Sequence, residues 1–123
     1  MKKILVTAVA GILLFSSSAI AADKWSKRDK NLELTYQALK FIDWRQTRYI
    51  AKNSDKYYEM NPILGKHPSV DKVDAYFIGT AILHPIITHF LPKEYRPWWQ
   101  GITITLSGAC VINNVIVGIK MDF

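Results

Sequence analysis

Apolar positions along this chain fall in four blocks, and the spacing of polar residues differs from block to block. Ile4 to Phe15 is a continuous apolar run behind Met1-Lys2-Lys3, and Ser16-Ser17-Ser18 leads from it into Ala19-Ile20-Ala21. A short positive start, an apolar stretch of this length and small residues at Ala19 and Ala21 are the parts of an export signal, with cleavage predicted after Ala21. The competing reading is an uncleaved anchor, because Ile4 to Ala22 is nearly long enough to span a bilayer. A polar lead follows over 22–30, and Asn31 is placed as the N-cap of a helix A over 31–51. Helical spacing puts Tyr36, Lys40, Asp43 and Thr47 on one face of it. Leu32, Leu39, Ile42 and Gln46 fall on another. Lys40 and Asp43 are three apart and can pair along the face, which lowers the cost of placing either in a poorly hydrated site.

Residues 52–71 read as a loop, since Asn53-Ser54-Asp55, Asn61-Pro62, Gly65 and His67-Pro68 are dense turn formers. Ser69 or Asp71 can cap the next helix. Helix B is predicted over 72–91 and helix C over 98–119; Ala75 to Leu91 and Trp98 to Ile119 contain no Asp, Glu, Lys or Arg. Each has the length that crosses a bilayer. Pro92 to Trp99 joins them with three aromatics and the cations Lys93 and Arg96, the composition of an interfacial belt. Pro85 interrupts helix B and frees a carbonyl one turn back, which a Thr or a neighbouring helix must satisfy. The expected fold class is therefore all-α: a cleaved signal peptide (1–21) followed by a small helical membrane bundle of two or three transmembrane helices.

Composition and charge sharpen this picture. The chain has 123 residues and is 50% hydrophobic, which excludes disorder, and its formal charge is +6. From Ala75 to Ile119 the only charges are Lys93, Glu94 and Arg96, whereas Asp23 to Asp74 is richly charged. That asymmetry argues against a nucleic-acid module, and so does the fall of the excess to +4 once Lys2 and Lys3 leave with the signal. If A, B and C all span, Lys52, Lys56, Lys66 and Lys72 lie on the inner side, in agreement with the positive-inside rule. If only B and C span, the same loop lies outside and disagrees with it. Against three spans, Lys40 near mid-membrane costs about 2.5 to 3.5 kcal/mol before pairing with Asp43. Three spans are favoured over two. Export through the secretory pathway then places the protein in a bacterial inner membrane.

Candidate chemistry is sparse. Helix C aligns Thr103, Ser107, Cys110 and Asn114, and helix B aligns Tyr76, Thr80, His84 and Thr88, with Gly79 letting a neighbour approach. Such polar stripes hold helices together in lipid, so the face of A is expected to pack against those of B and C. Cys110, a lone thiol, is read as a small buried hydrophobe in a helix interface. The residues singled out as a polar cluster are Asp43, Thr47, Glu59, Asn61, His84 and Asn114. Glu59 and Asn61 can cap backbone amides ahead of Pro62, at a junction received by Asp43 and Thr47. A proton or ion relay through Asp43, His84 and Asn114 is the functional alternative to packing. No metal site or cofactor is expected: His84 and His89 point about 140° apart around a helix, and His67 sits in a Pro-rich loop. No phosphate-binding or nucleophile-elbow motif occurs, and Glu33, Glu59 and Glu94 are scattered.

Asp43-Trp44-Arg45-Gln46-Thr47 followed by Tyr58-Glu59-Met60-Asn61-Pro62-Ile63-Leu64-Gly65 resembles a pattern in small bacterial and phage-borne membrane proteins of unassigned function. In these a first span ends in Asp-x-x-x-Thr and is followed by Glu-x-Asn-Pro and two further spans. The resemblance implies helix A as a span and carries no reaction. The chain is thus expected to be a small integral inner-membrane protein that works by contacts with membrane lipid, a protein partner or itself, with no catalytic residue of its own. The alternatives are a membrane enzyme or transporter component using Asp43, Glu59, His67 and His84, and an exported protein that attacks membranes.

Overall fold

The computed structural model describes residues 22–123, so the proposed signal segment and its cleavage site lie outside the described residues. Among these residues three helices follow one another: α1 (Lys27–Lys52), α2 (Val70–Phe90) and α3 (Arg96–Ile116). Among the described residues there is no strand, and the all-α class holds.

α1 starts four residues before the expected Asn31. Ser26 is the N-cap: its hydroxyl accepts from the Asp29 amide at 3.0 Å and the Asp29 carboxylate accepts from the Ser26 amide at 3.0 Å. This reciprocal capping box satisfies two otherwise orphaned amides and fixes the start. Ser69 caps α2 through the Lys72 amide at 3.1 Å, and Pro97 sits in the first turn of α3, where its missing N–H costs nothing. The carbonyl freed by Pro85 belongs to Ala81, and the neighbouring helix supplies the donor: Gln37 Nε2 reaches it at 3.0 Å. Replacing Gln37 by Leu leaves that carbonyl without its α1 partner. We expect a destabilisation of about 1 to 3 kcal/mol, read as a lower midpoint in thermal or denaturant unfolding, with a smaller loss when Gln37→Leu is made in Pro85→Ala, whose residue 85 amide can serve the Ala81 carbonyl.

α1 is the central element. It packs along both α2 and α3, whereas α2 and α3 meet only near the turn that joins them. Away from that turn they diverge, and the 53–69 segment crosses the gap. There Leu64 packs on Val73 and Phe77, and Tyr57 reaches the end of α3, its hydroxyl 3.7 Å from where a Cβ on Gly118 would lie. Gly118 itself sits at φ +88, a conformation that favours glycine at a helix end. The C-terminal tail returns to α1: the Asp122 amide donates to the Arg45 carbonyl at 2.9 Å, and the Asp122 carboxylate takes Lys52 at 2.9 Å and Arg48 at 3.1 Å. The hydrogen bond from Lys52, with help from Arg48, holds the Asp122 carboxyl below its usual range. A carboxylate with a lowered folded-state pKa stabilises the fold at pH values above its unfolded pKa, and loses that effect as pH falls through the folded value. Tail attachment is therefore expected to weaken below about pH 4, seen as faster C-terminal trimming by an acid-active carboxypeptidase; Asp122→Asn removes the pH dependence.

The distribution of burial is inverted relative to a water-soluble core. Among the described residues six hydrophobic ones are buried, against ten polar or charged ones: Asp29, Glu33, Asp43, Gln46, Thr47, His84, Thr88, Arg96, Gln100 and Ser107. Ile78, Ile82 and Ile86 of α2, and Ile102, Leu106, Ile112 and Ile116 of α3, are exposed. No helix among the described residues is long and apolar enough to cross a membrane. The polar side chains within them, such as His84 and Thr88 in α2 and Gln100 and Asn114 in α3, lower their mean hydropathy.

Candidate functional site

The polar face read from helix A packs against its neighbours, with Tyr36 stacked on His84 and Asp43 and Thr47 buried, and the same face lines a groove. Tyr36, Lys40, Asp43 and Thr47 form the floor of a cavity of about 780 Å³; Tyr76 and Phe77 of α2 stand on one side, Thr103, Ser107, Cys110 and Asn114 of α3 on the other. Tyr57 to Pro62 lies across its wide end. The two polar stripes expected to meet do so at His84 and Thr103, 2.8 Å apart, while Tyr76 on one side and Ser107, Cys110 and Asn114 on the other line the groove. Cys110 is accordingly exposed toward this groove, not buried in an interface. Gly79 admits no neighbour either, since nothing lies within 4 Å of a Cβ built there.

Asp43, Thr47, Glu59, Asn61 and Asn114 all line this one cavity. The Thr47 hydroxyl donates to the Asp43 carbonyl at 2.7 Å and lies 3.2 Å from its carboxylate, while Lys40 Nζ stands 3.6 Å from the Asp43 carboxylate and 4.7 Å above the Phe77 ring. The pairing expected three residues apart is thus present. Glu59 Oε1 accepts from the Met60 and Asn61 amides at 3.1 and 3.0 Å, and Asn61 Oδ1 accepts from Ile63 at 2.9 Å, so both residues cap loop amides before and after Pro62. Burial pushes the Glu59 carboxyl upward, the nearby Asp43 carboxylate adds to this, and the two amides and Lys40 oppose it. Asn114 donates to Gln46 Oε1 at 3.0 Å and ties α3 to α1.

His84 lies at the narrow end, in a second and fully buried layer. Its Nδ1 is 2.9 Å from both oxygens of Glu33, and its Nε2 is 2.8 Å from the Thr103 hydroxyl, which also donates toward the Trp99 carbonyl at 2.9 Å. Tyr36 and Trp99 stack on its ring at centroid distances of 3.5 and 4.9 Å. A proton on Nδ1 meets the Glu33 carboxylate, and the single proton of the Thr103 hydroxyl goes either to Nε2 or to the Trp99 carbonyl. The Thr88 hydroxyl donates to the His84 carbonyl at 2.9 Å and accepts from Trp99 Nε1 at 3.1 Å, while Gln100 Nε2 donates to the Asp29 carbonyl at 2.9 Å.

Beyond this layer, Arg96 is 0% exposed and not an interfacial cation as its place in the Pro92–Trp99 turn suggested. It donates to the Asp29 carboxylate at 3.0 Å and to the carbonyls of Asp23, Lys24, Thr88, His89 and Leu91. The last carbonyls of α2 and the segment before α1 converge there, and the five N–H groups of the guanidinium serve all six acceptors because Nε–H is shared between Thr88 and Leu91. Glu33 and Arg96 were not among the singled-out residues. Glu33 had a legible signal: it lies three residues before Tyr36 and extends the Tyr36, Lys40, Asp43, Thr47 face by one turn. Arg96 had none, because its partners come from three separate stretches of chain. His67 is exposed in the loop and away from this centre, and among the described residues no cluster of His, Cys, Asp or Glu could hold a metal ion. No protein-family model, curated protein or solved structure matches this chain.

Proposed function

We propose that this chain is a small helical protein of the bacterial inner membrane, delivered by its export signal, that acts by binding neighbours in or beside the bilayer and not by chemistry of its own. The inverted distribution of polarity carries this reading: charged and amide side chains are inside, and the outward faces of α2 and α3 are isoleucine-rich. In water such a surface is an aggregation liability, whereas in lipid it is the favoured solvent-facing composition. Lipid meets only the outer face of each helix, so the average over all sides undervalues how apolar that face is. The basic 52–72 stretch supports an inward-facing loop. Alkaline carbonate extraction of a tagged chain tests the reading: it should stay in the membrane pellet, and release into the supernatant would overturn it. Reporter fusions at residues 60 and 95 separate three spans from two, since an exported residue 60 excludes three spans behind a cleaved signal.

A membrane enzyme or transporter component is the second reading, and one observation favours it. Glu33, His84 and Thr103 form a carboxylate–imidazole–hydroxyl chain at hydrogen-bond distances, with its hydroxyl end on the groove. The first reading is preferred because the imidazole is only 3% exposed between two aromatic rings and Thr103 is also engaged by backbone carbonyls. Crosslinking within the membrane, followed by identification of what is captured, discriminates the two: a defined protein neighbour supports binding. Loss of function on Thr103→Val with normal accumulation supports chemistry.

A further inference from the structure

The groove contains hydrogen-bonding groups that the described residues leave unspent. Lys40 Nζ has its ion pair with Asp43 at 3.6 Å and the Phe77 ring beneath it, but no hydrogen bond within the described residues. The hydroxyls of Tyr36 and Ser107, whose residues are 5% and 6% exposed, also engage no described partner and line the same cavity. Three donors on two helices therefore line one space with no hydrogen-bond partner among the described residues.

Charge limits what can meet them. Asp43 already neutralises Lys40, and Glu59 brings a second carboxylate to the cavity, so an anionic head placed beside Lys40 would face both. Ester carbonyls take the same donors without placing a charge beside Lys40, and in a zwitterionic phospholipid the phosphate farther along the molecule brings its own counter-charge. Shape limits it further. The narrow end is closed by the His84–Thr103 and Thr88–Trp99 contacts, and the wide end by Tyr57 to Pro62. A helix cannot run through such a space. A flexible chain can leave it sideways, between α2 and α3, past Phe77 and Leu106 toward the isoleucines of the outer face.

We propose that this groove holds one acyl-ester phospholipid of the surrounding bilayer, its ester and glycerol oxygens on Lys40, Tyr36 and Ser107 and its acyl chains passing out between α2 and α3. The proposal rests on the membrane reading above and names what that reading's groove binds. It is tested with the full chain reconstituted into phosphatidylethanolamine–phosphatidylglycerol vesicles containing phosphatidylcholine with a photoactivatable diazirine near the ester end of one acyl chain. After flotation and irradiation, adducts are mapped by mass spectrometry. Adducts should concentrate on Leu106, Ala109, Cys110 and Phe77, and should fall about tenfold, the equivalent of one lost hydrogen bond to a charged donor, in Lys40→Met and in Ser107→Leu, while adducts on Ile102 and Ile112 persist. Adducts confined to Ile102, Ile112 and other outward residues of the unaltered chain would overturn the groove proposal and leave the membrane reading standing. Failure of the chain to float with the vesicles would overturn both. The mapping on the unaltered chain decides the matter even where a variant folds poorly.

Discussion

Replacing Arg96 by Leu is expected to abolish the fold under ordinary conditions. The side chain has no exposed surface, and its guanidinium serves the Asp29 carboxylate and five carbonyls. Leu fills part of the volume but leaves a buried carboxylate without its counter-ion, a loss of about 3 to 5 kcal/mol for one partner of a buried pair. The abandoned carbonyls add to it. Three helices joined by few buried apolar residues have little stability to spare, since small domains as a class stand only about 5 to 15 kcal/mol above unfolding. The measurement is steady-state accumulation together with thermal unfolding in the purifying detergent. Arg96→Lys should fall between, because an ammonium supplies one charge and three donors but cannot fan out to six acceptors. Arg96→Leu/Asp29→Leu should recover part of the loss, because the stranded carboxylate is gone. An Arg96→Leu protein that accumulates and melts like the parent would sink the assignment of Arg96 as the clamp between α2, α3 and the start of α1.

The second large effect is expected at Glu33 and His84. Glu33→Leu removes the carboxylate that both orients the imidazole and, with Gln100 and Thr88 at 3.4 Å, organises the layer beneath Arg96. The buried His84 then has an Nδ1–H with no acceptor, or must carry its proton on Nε2 toward Thr103 and leave Nδ1 with no donor to meet it. A destabilisation of about 3 kcal/mol follows from the loss of one partner of a buried charged pair. His84→Leu acts in the same direction and also removes the ring that Tyr36 and Trp99 stack on. The double variant is the informative one: a coupling of about 1 to 3 kcal/mol between the two sites in a double-mutant cycle is expected for groups in direct contact. Strict additivity would show that the two side chains do not work as a pair.

Much of the architecture is legible in the chain because it depends on local rules. Turn formers mark 53–69, Ser69 announces α2, and the absence of charge from Ala75 to Leu91 outlines its apolar length. The start of α1 was equally legible but belongs to Ser26 and not Asn31, because Asp29 three residues later completes a capping box that Asn31 lacks a partner for. The polar stripes of α1 and α3 also follow from spacing alone. What spacing cannot supply is the distance between two stripes on different helices. That is why Cys110 was expected in a closed interface and instead borders a groove, and why Arg96 was assigned to a surface.

The sequence by itself therefore determined which residues share a face, where helices begin and stop, and that polar groups sit within apolar helices, since each is set by neighbours three or four positions away. Only the tertiary structure decided which faces meet. The divergence of α2 from α3 opens the cavity, and the crossing of α1 beneath them brings Glu33 to His84 from 51 residues away. The return of the chain before α1 delivers Asp23 and Asp29 to Arg96. These are long-range pairings whose strength comes from desolvation in a shared interior, a property that no local stretch of sequence possesses.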